Sequence, residues 1–405
     1  MSSLEPAIPA EPPVRFDPAA PVTVNVAGQE LTFFVHSSSL IASMLRDIDS
    51  AKSRIWLESY IFADDAAGQS VATALAERAA AGVDVRVIYD GFGSIRTSWS
   101  MFERMNEKGV KVHAFHTLGQ AVREFSFLSI CNRRDHRKLL IVDDRIAYFG
   151  GMNIVDQRGI ETPADAKARR LPASAGWRDV HVRLAGRQQS DVAGAFNRLW
   201  KHVIHKSRRR GPVWPIPQML LSRHESIFFF DCRPALRYHR AQRVFVPLIR
   251  KAQRNILVSM AYFIPQGAIL RELVRARKRG VTIRIIIPGK SDVQAVQWAT
   301  RHFYAYLLKR GFRIYEQGDN MVHSKVMVID QEWSIVGSCN LDPRSLLYNL
   351  EFLAVIHART VVTVLKRICR YEISKSRRIS EADVARRSWL TRFRDYIAWS
   401  FRKWL

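Results

Sequence analysis

His323-Ser324-Lys325-Val326-Met327-Val328-Ile329-Asp330, running on to Gly337-Ser338-Cys339-Asn340, has a second copy in the same chain. The earlier copy is His136-Arg137-Lys138-Leu139-Leu140-Ile141-Val142-Asp143, running on to Gly150-Gly151-Met152-Asn153. His, Lys, Asp, the first Gly and Asn fall at identical offsets, which a duplicated unit explains and accident does not. The apolar run between Lys and Asp reads as a buried strand. Side chains alternate along a strand, so His and Lys, two apart, share a face, while Asp, seven on from His, takes the other. The pattern predicts two His/Lys pairs at the chemistry, with Asp143 and Asp330 nearby in a mainly structural role.

The duplication extends outward from the motifs. Ala79-Ala80-Ala81-Gly82-Val83-Asp84-Val85-Arg86-Val87-Ile88 is echoed by Arg277-Lys278-Arg279-Gly280-Val281-Thr282-Ile283-Arg284-Ile285-Ile286. Each reads as a helix end, a glycine C-cap and a buried strand. Arg54–Phe62 reads as a strand, followed by a helix over 68–81, a strand over 83–89, a helix near 98–108 and a strand near 110–116. The later half repeats this order, with a helix over 292–310 and a strand over 313–316. Val22–Phe34 reads as a hairpin around Ala27-Gly28, and residues 37–52 as an amphipathic helix. Strands alternating with helices argue an α/β fold. The expected divisions are a disordered tail over 1–21, a first repeat over 22–205, a linker over 206–217, a second repeat over 218–376 and a basic amphipathic segment over 377–405.

Past each motif, Trp177-Arg178-Asp179-Val180 lines up with Asn349-Leu350-Glu351-Phe352. A catalytic histidine needs a partner to fix its tautomer and stabilise the imidazolium. Asp179 and Glu351 are the candidates for that role.

The chain has 405 residues, with 63 Lys and Arg against 37 Asp and Glu, a formal net charge of +26. Such a surface suits a polyanion, either nucleic acid or an anionic bilayer. Cys131, Cys232, Cys339 and Cys369 are scattered without a C-x-x-C pair, which suits reduced thiols. No run of about 18 apolar residues is present, so any membrane contact is expected to be peripheral. Near the C-terminus, Leu390, Phe393, Ile397, Phe401 and Trp404 form a helical stripe flanked by Arg387, Arg392, Arg394, Arg402 and Lys403. That pattern suits a membrane interface, or docking on the protein's own core or a partner.

Two His/Lys pairs, were the repeats to bring them together, would fit phosphoryl transfer from a diester. The ammoniums, with Asn153 and Asn340, would hold the non-bridging oxygens. One neutral imidazole would attack phosphorus, and the other would protonate the leaving alcohol and then deprotonate the incoming one. No metal or other cofactor is called for, and neither an H-E-x-x-H string nor a nucleotide-binding glycine loop is present.

These motifs resemble the phospholipase D superfamily, whose two H-x-K-x-x-x-x-D motifs combine into one active site. The flanking strings Leu57-Glu58-Ser59-Tyr60-Ile61-Phe62, Ala261-Tyr262-Phe263-Ile264-Pro265 and Leu341-Asp342-Pro343-Arg344-Ser345 look like those of bacterial cardiolipin synthases, most like the short B type. The resemblance covers about residues 30–375. It implies two homologous α/β repeats with mixed, helix-flanked sheets, related by a pseudo-twofold, with the active site between them. It further implies a catalytic set of His136, Lys138, Asp143, His323, Lys325 and Asp330, supported by Asn153, Asn340, Ser338, Asp179 and Glu351. His136 is then the nucleophile and His323 the acid/base. The implied reaction moves the phosphatidyl group of one phosphatidylglycerol to the headgroup of another at the cytoplasmic face of a bacterial membrane, with no nucleic acid as partner. A hydrolase using water, a metal-independent nuclease and a non-enzymatic binding protein are the alternatives. Gly151, where the second copy has Ser338, departs from the duplication.

Overall fold

The computed structural model describes residues 16–117, 133–156, 177–205, 219–220, 222–234, 240–318 and 321–402. Most of the expected tail, the expected linker, Cys131, Lys403 and Trp404 lie outside the described residues.

The first repeat opens with a hairpin of β1 (Val22–Val26) and β2 (Gln29–Phe34). Its turn residues, Ala27 and Gly28, have φ of +49° and +75°, the left-handed pair that a tight two-residue connection requires. Then follow α1 (Ser37–Asp49), β3 (Arg54–Ser59), α2 (Ala66–Ala80), β4 (Asp84–Asp90), α3 (Trp99–Glu107) and β5 (Lys111–Phe115). The repeat closes with β6 (Leu139–Val142), β7 (Ile146–Gly150), β8 (His181–Ala185) and α4 (Gln189–His205). Helix α2 starts two residues before the sequence suggests, because the Asp65 carboxylate accepts from Gly68 N at 2.9 Å and caps it. Strand β3 ends at Ser59, short of the expected Phe62, because the chain leaves the sheet there and Phe62 pairs singly with Ile154.

The second repeat runs β9 (Ser226–Cys232), α5 (Arg240–Lys251), β10 (Asn255–Met260), α6 (Gly267–Lys278), β11 (Thr282–Pro288), α7 (Gln294–Leu308) and β12 (Arg313–Gln317). It continues with β13 (Lys325–Ile329), β14 (Trp333–Gly337), α8 (Pro343–Leu347), β15 (Glu351–His357) and α9 (Arg359–Ser374). Last come β16 (Ser376–Ile379), α10 (Glu381–Ala385) and α11 (Trp389–Ser400). No helix among the described residues is long and apolar enough to cross a membrane.

Each repeat builds one eight-stranded mixed sheet, ordered β1-β2-β8-β7-β6-β3-β4-β5 and β16-β12-β11-β10-β13-β14-β15-β9. Without β1 and β16, the two orders are the same seven strands. The extra strands sit at opposite edges: β1 extends the β2 edge, and β16 pairs antiparallel with β12. In both sheets the motif strand, β6 or β13, lies antiparallel to the first strand of the parallel trio.

One hydrophobic core runs through both repeats. Residues of β6, β7, β8 and α4 pack with residues of β9, β15 and α9. Phe149, Phe229 and Phe352 meet ring to ring at its centre, with centroids 5.3 to 6.1 Å apart. Burying side chains of this size contributes about 1.5–3 kcal/mol each, so the two sheets hold each other in place. Separate clusters under α1–α3 and under α5–α7 cover the outer faces.

Candidate active site

The motif histidines stand just ahead of β6 and β13, where the two repeats meet. His136 N donates to Leu350 O at 2.9 Å, and Leu350 N donates back to Arg134 O at 2.8 Å. The mirror-related pair is His323 N to Arg178 O at 2.7 Å and Arg178 N to Met321 O at 3.0 Å. Each histidine is therefore stitched to the segment that carries the other repeat's carboxylate. His136 Nδ1 lies 3.2 Å from both oxygens of Glu351, and His323 Nδ1 lies 2.8 Å from Asp179 Oδ2.

The two pairs differ in detail. His136 Nδ1 is also 3.1 Å from the Ser338 carbonyl oxygen. A carbonyl only accepts, so Nδ1 carries the proton and Nε2 keeps its lone pair. At the other pair, Lys325 Nζ donates to Asp179 Oδ2 at 3.0 Å and lies 2.6 Å from His323 Nδ1. Lys138 Nζ instead donates to His136 O at 2.7 Å and sits 5.2 Å from the centre of the Tyr60 ring.

Electrostatics follow the same asymmetry. Burial opposes the charge on Asp179, but the Lys325 ammonium and His323 outweigh it and hold this carboxyl below its ordinary value. Burial wins at Glu351, whose pKa is raised to about 8 although Lys138 and Ser338 oppose the shift. His136 is pushed well below the ordinary histidine value by burial and by Lys138 and Lys325. Burial and Lys325 also lower His323, with Asp179 opposing them. Burial brings Lys138 down to about 7. The result is a His136 and a Glu351 both shifted toward their neutral forms, and a His323 whose carboxylate partner is shifted toward its charged form.

Both histidines open into one cavity of about 180 Å³, which Asn153, Asn340, Arg134 and Arg344 also line. Asn153 Oδ1 accepts from Ile61 N at 3.1 Å, which leaves its amide N–H groups for the cavity. Neither amide atom of buried Asn340 has a hydrogen-bond partner. A buried amide left this way costs free energy unless a ligand satisfies it. Aromatic rings wall the histidines: Tyr60 lies edge-on to His136 at 5.1 Å, and Trp177 is 5.0 Å from His323.

Of the residues singled out in the sequence, the structure gathers His136, Lys138, His323, Lys325, Asn153, Asn340, Asp179 and Glu351 here. Ser338 supports the site from behind: its hydroxyl donates to Glu351 Oε2 and accepts from Phe352 N at 3.1 Å. Asp143 and Asp330 do not line the cavity. They lie at the far ends of β6 and β13 with φ of +49° and +52°. The Asp143 carboxylate accepts from the N–H groups of Lys52, Ser53 and Arg54 at 2.7 to 3.0 Å. Asp330 accepts from those of Gln253, Arg254 and Asn255, all at 2.8 Å. Each holds the entry to the strand beside its motif.

A buried charge cluster escaped the sequence reading. Arg137 pairs with Glu58, with Asp135 at 3.2 Å and with Asp231 of the second repeat at 3.0 Å. The signal was present: charged Asp135 and Arg137 flank His136, where Val322 and Ser324 flank His323.

The family described as "Cardiolipin synthase, PLD-like domain" matches this chain twice, over residues 44–168 and 245–371. Cardiolipin synthase 1 of Staphylococcus aureus is 28% identical over 375 residues, covering 90% of this chain and 71% of that protein. The major cardiolipin synthase of Bacillus subtilis is 29% identical over 356 residues, covering 88% and 71%. Among solved structures, phosphatidylserine synthase of Haemophilus influenzae superposes with a TM-score of 0.68 at 13% identity over 94% of each chain. Polyphosphate kinase of Porphyromonas gingivalis gives 0.56 at 16% identity, covering 87% of this chain and 49% of that one. Those two show a shared fold. With both repeats matched and their motifs meeting in one cavity, the chain belongs to the cardiolipin synthase, PLD-like domain family of the phospholipase D superfamily.

Proposed function

We propose that this protein is a phosphatidyltransferase of the cardiolipin synthase type, acting on phosphatidylglycerol at an anionic membrane. The observation that carries the reading is the unequal pair of histidines across one cavity. His136 presents a lone pair on Nε2, and His323 has an ionised counterion in Asp179. In the first half-reaction His136 Nε2 bonds to phosphorus and the bond from phosphorus to the glycerol oxygen breaks. Protonated His323 gives its Nε2 proton to that departing oxygen. In the second half-reaction neutral His323 takes a proton from the headgroup hydroxyl of another phosphatidylglycerol. That oxygen bonds to phosphorus and the phosphorus–nitrogen bond breaks, which gives cardiolipin. Lys138, Lys325, Asn153 and Asn340 would bear the charge on the five-coordinate phosphorus. The relatives named as cardiolipin synthases support the choice of substrate.

The test is incubation with phosphatidylglycerol vesicles in EDTA, with the lipids resolved by mass. Cardiolipin and free glycerol, both lost in His136→Ala and in His323→Ala, are the expected result. Phosphatidic acid as the main product would make the enzyme a hydrolase instead. DNA cleavage without lipid turnover would make the cavity a nuclease site.

A further inference from the structure

Helix α11 is mounted inside out. An amphipathic helix at a protein surface ordinarily buries its apolar stripe. Here the face packed on α7 carries Asp395, 1% exposed and paired with Arg387 and Arg394, together with Ala398. Trp399 packs on His302 of α7 at 5.3 Å. The apolar stripe faces outward: Trp389 is 73% exposed, Leu390 61%, Phe393 56% and Phe401 59%, with Tyr396 and Ile397 beside them. The docking contacts are specific, so the exposed stripe is not the free side of a loosely attached helix.

A second apolar patch projects from the first repeat. Phe92, Ile95 and Trp99 are exposed on the segment that links β4 to α3. Its counterpart in the second repeat is the link from β11 to α7, which exposes Val293. Among the described residues, every exposed large hydrophobic side chain except Ile204 and Val293 belongs to one of these two patches. Both adjoin the cavity that holds the histidines. Phe92 lies under the Arg134 guanidinium at 4.8 Å, Val293 and Val296 line the cavity, and Val296 packs with Ala398 of α11.

We infer that Phe92, Ile95 and Trp99 on one side and the outward stripe of α11 on the other form a two-point docking face that seats the cavity mouth on an anionic phospholipid bilayer. The inference rests on the lipid-substrate reading and goes beyond it by assigning the residues that meet the membrane. Charge selects the occupant. Arg392 is exposed beside the stripe, and the chain as a whole carries a formal charge of +26, which anionic headgroups attract. A second copy of the same cationic chain meets repulsion there instead. Two anchors from different repeats also fix orientation, which a single helix does not. A diester headgroup can then reach the histidines while its acyl chains stay in the bilayer.

The experiment is flotation of the full chain with vesicles of equal parts phosphatidylglycerol and phosphatidylcholine, and with phosphatidylcholine alone. The triple variants Phe92→Ser/Ile95→Ser/Trp99→Ser and Leu390→Ser/Phe393→Ser/Ile397→Ser are compared with wild type and with His136→Ala. Wild type and His136→Ala are expected to float with the anionic vesicles and far less with phosphatidylcholine. Each triple variant should bind at least about tenfold more weakly. Each should keep its thermal midpoint and turn over monomeric dihexanoyl-phosphatidylglycerol within about twofold of wild type. Undiminished flotation of both variants overturns the inference, whatever the catalytic result. So does wild-type self-association that the α11 variant abolishes, since a second copy would then cover the stripe. If wild type turns over no lipid yet floats through these patches, the docking face stands and the proposed reaction falls.

Discussion

Gly151 and Ser338 hold equivalent places in the two repeats, and a close approach explains why they differ. A Cβ at Gly151 would lie 2.2 Å from Asp179 Oδ1, the carboxylate that partners His323. Ser338 instead turns its hydroxyl onto Glu351. Gly151→Ser is therefore expected to push Asp179 off His323 and cut the transfer rate by about 10²-fold or more, read as kcat in a variant of unchanged thermal midpoint. The substitution is visible in the sequence; its reason is not, because the atom it avoids lies 28 residues away along the chain. The unusual pKa values give a second test. Lys138, lowered to about 7 by burial, loses its positive charge as pH rises through that value. The transfer rate should fall on that alkaline limb. Lys138→Arg, whose guanidinium does not titrate, should show no such limb in whatever activity it keeps; an identical limb would sink the assignment. For Glu351 the sign concerns stability. Its folded pKa of about 8 lies above the unfolded value near 4.5, so between these values the native state holds the extra proton and stability falls as pH rises. Glu351→Gln, a permanent mimic of the protonated acid, should flatten the decline of the thermal midpoint between pH 5 and 8.

At the scale of elements, alternation along a strand separates the motif's residues by job. His and Lys fall at the start of β6 or β13, inside the site, and Asp falls at the far end. Asp143 and Asp330 act there as anchors for the chain entering β3 and β10. Replacing either with Ala removes three backbone hydrogen bonds at a partly solvated turn. The expected cost is about 1–2 kcal/mol in urea unfolding, with kcat retained in the folded fraction. A collapse of kcat at unchanged stability would return these residues to the catalytic set. Helices α1–α3, α6 and α7 and the parallel strands were legible, because apolar periodicity and the Gly82 and Gly280 caps mark them; α4, α5 and α9 drew no expectation. Strands β9 and β16 were not legible, since what makes each a strand is the sheet edge it completes. The sequence also shows the stripe on α11 but not which way it faces. Asp395 decides that, by carrying its buried ion pairs into the contact with α7.

Across the whole molecule, the repeats are joined by charge as well as by apolar packing. Arg137 of the first repeat is fully buried against Glu58, Asp135 and Asp231, the last from β9 of the second. Arg137→Ala would leave three buried carboxyls without their shared cation, at a cost of about 3–5 kcal/mol. Because the cluster spans both sheets and Asp135 directly precedes His136, one cooperative unfolding transition should move to lower urea while activity is lost with it. Two separate transitions would show that the repeats fold independently. By itself the sequence determined the duplicated α/β fold, and it marked the two His/Lys pairs and the two carboxylates that the fold brings together. These are local matters, written in period, cap and repeated spacing. Only the tertiary structure decided that each carboxylate serves the other repeat's histidine. It also decided that one of the two carboxyls is held below its ordinary pKa and the other pushed above it, and that the apolar face of α11 looks outward. The reason is physical: partner, burial and charge state depend on what the fold brings across the interface between the two sheets, and no local pattern encodes that distance.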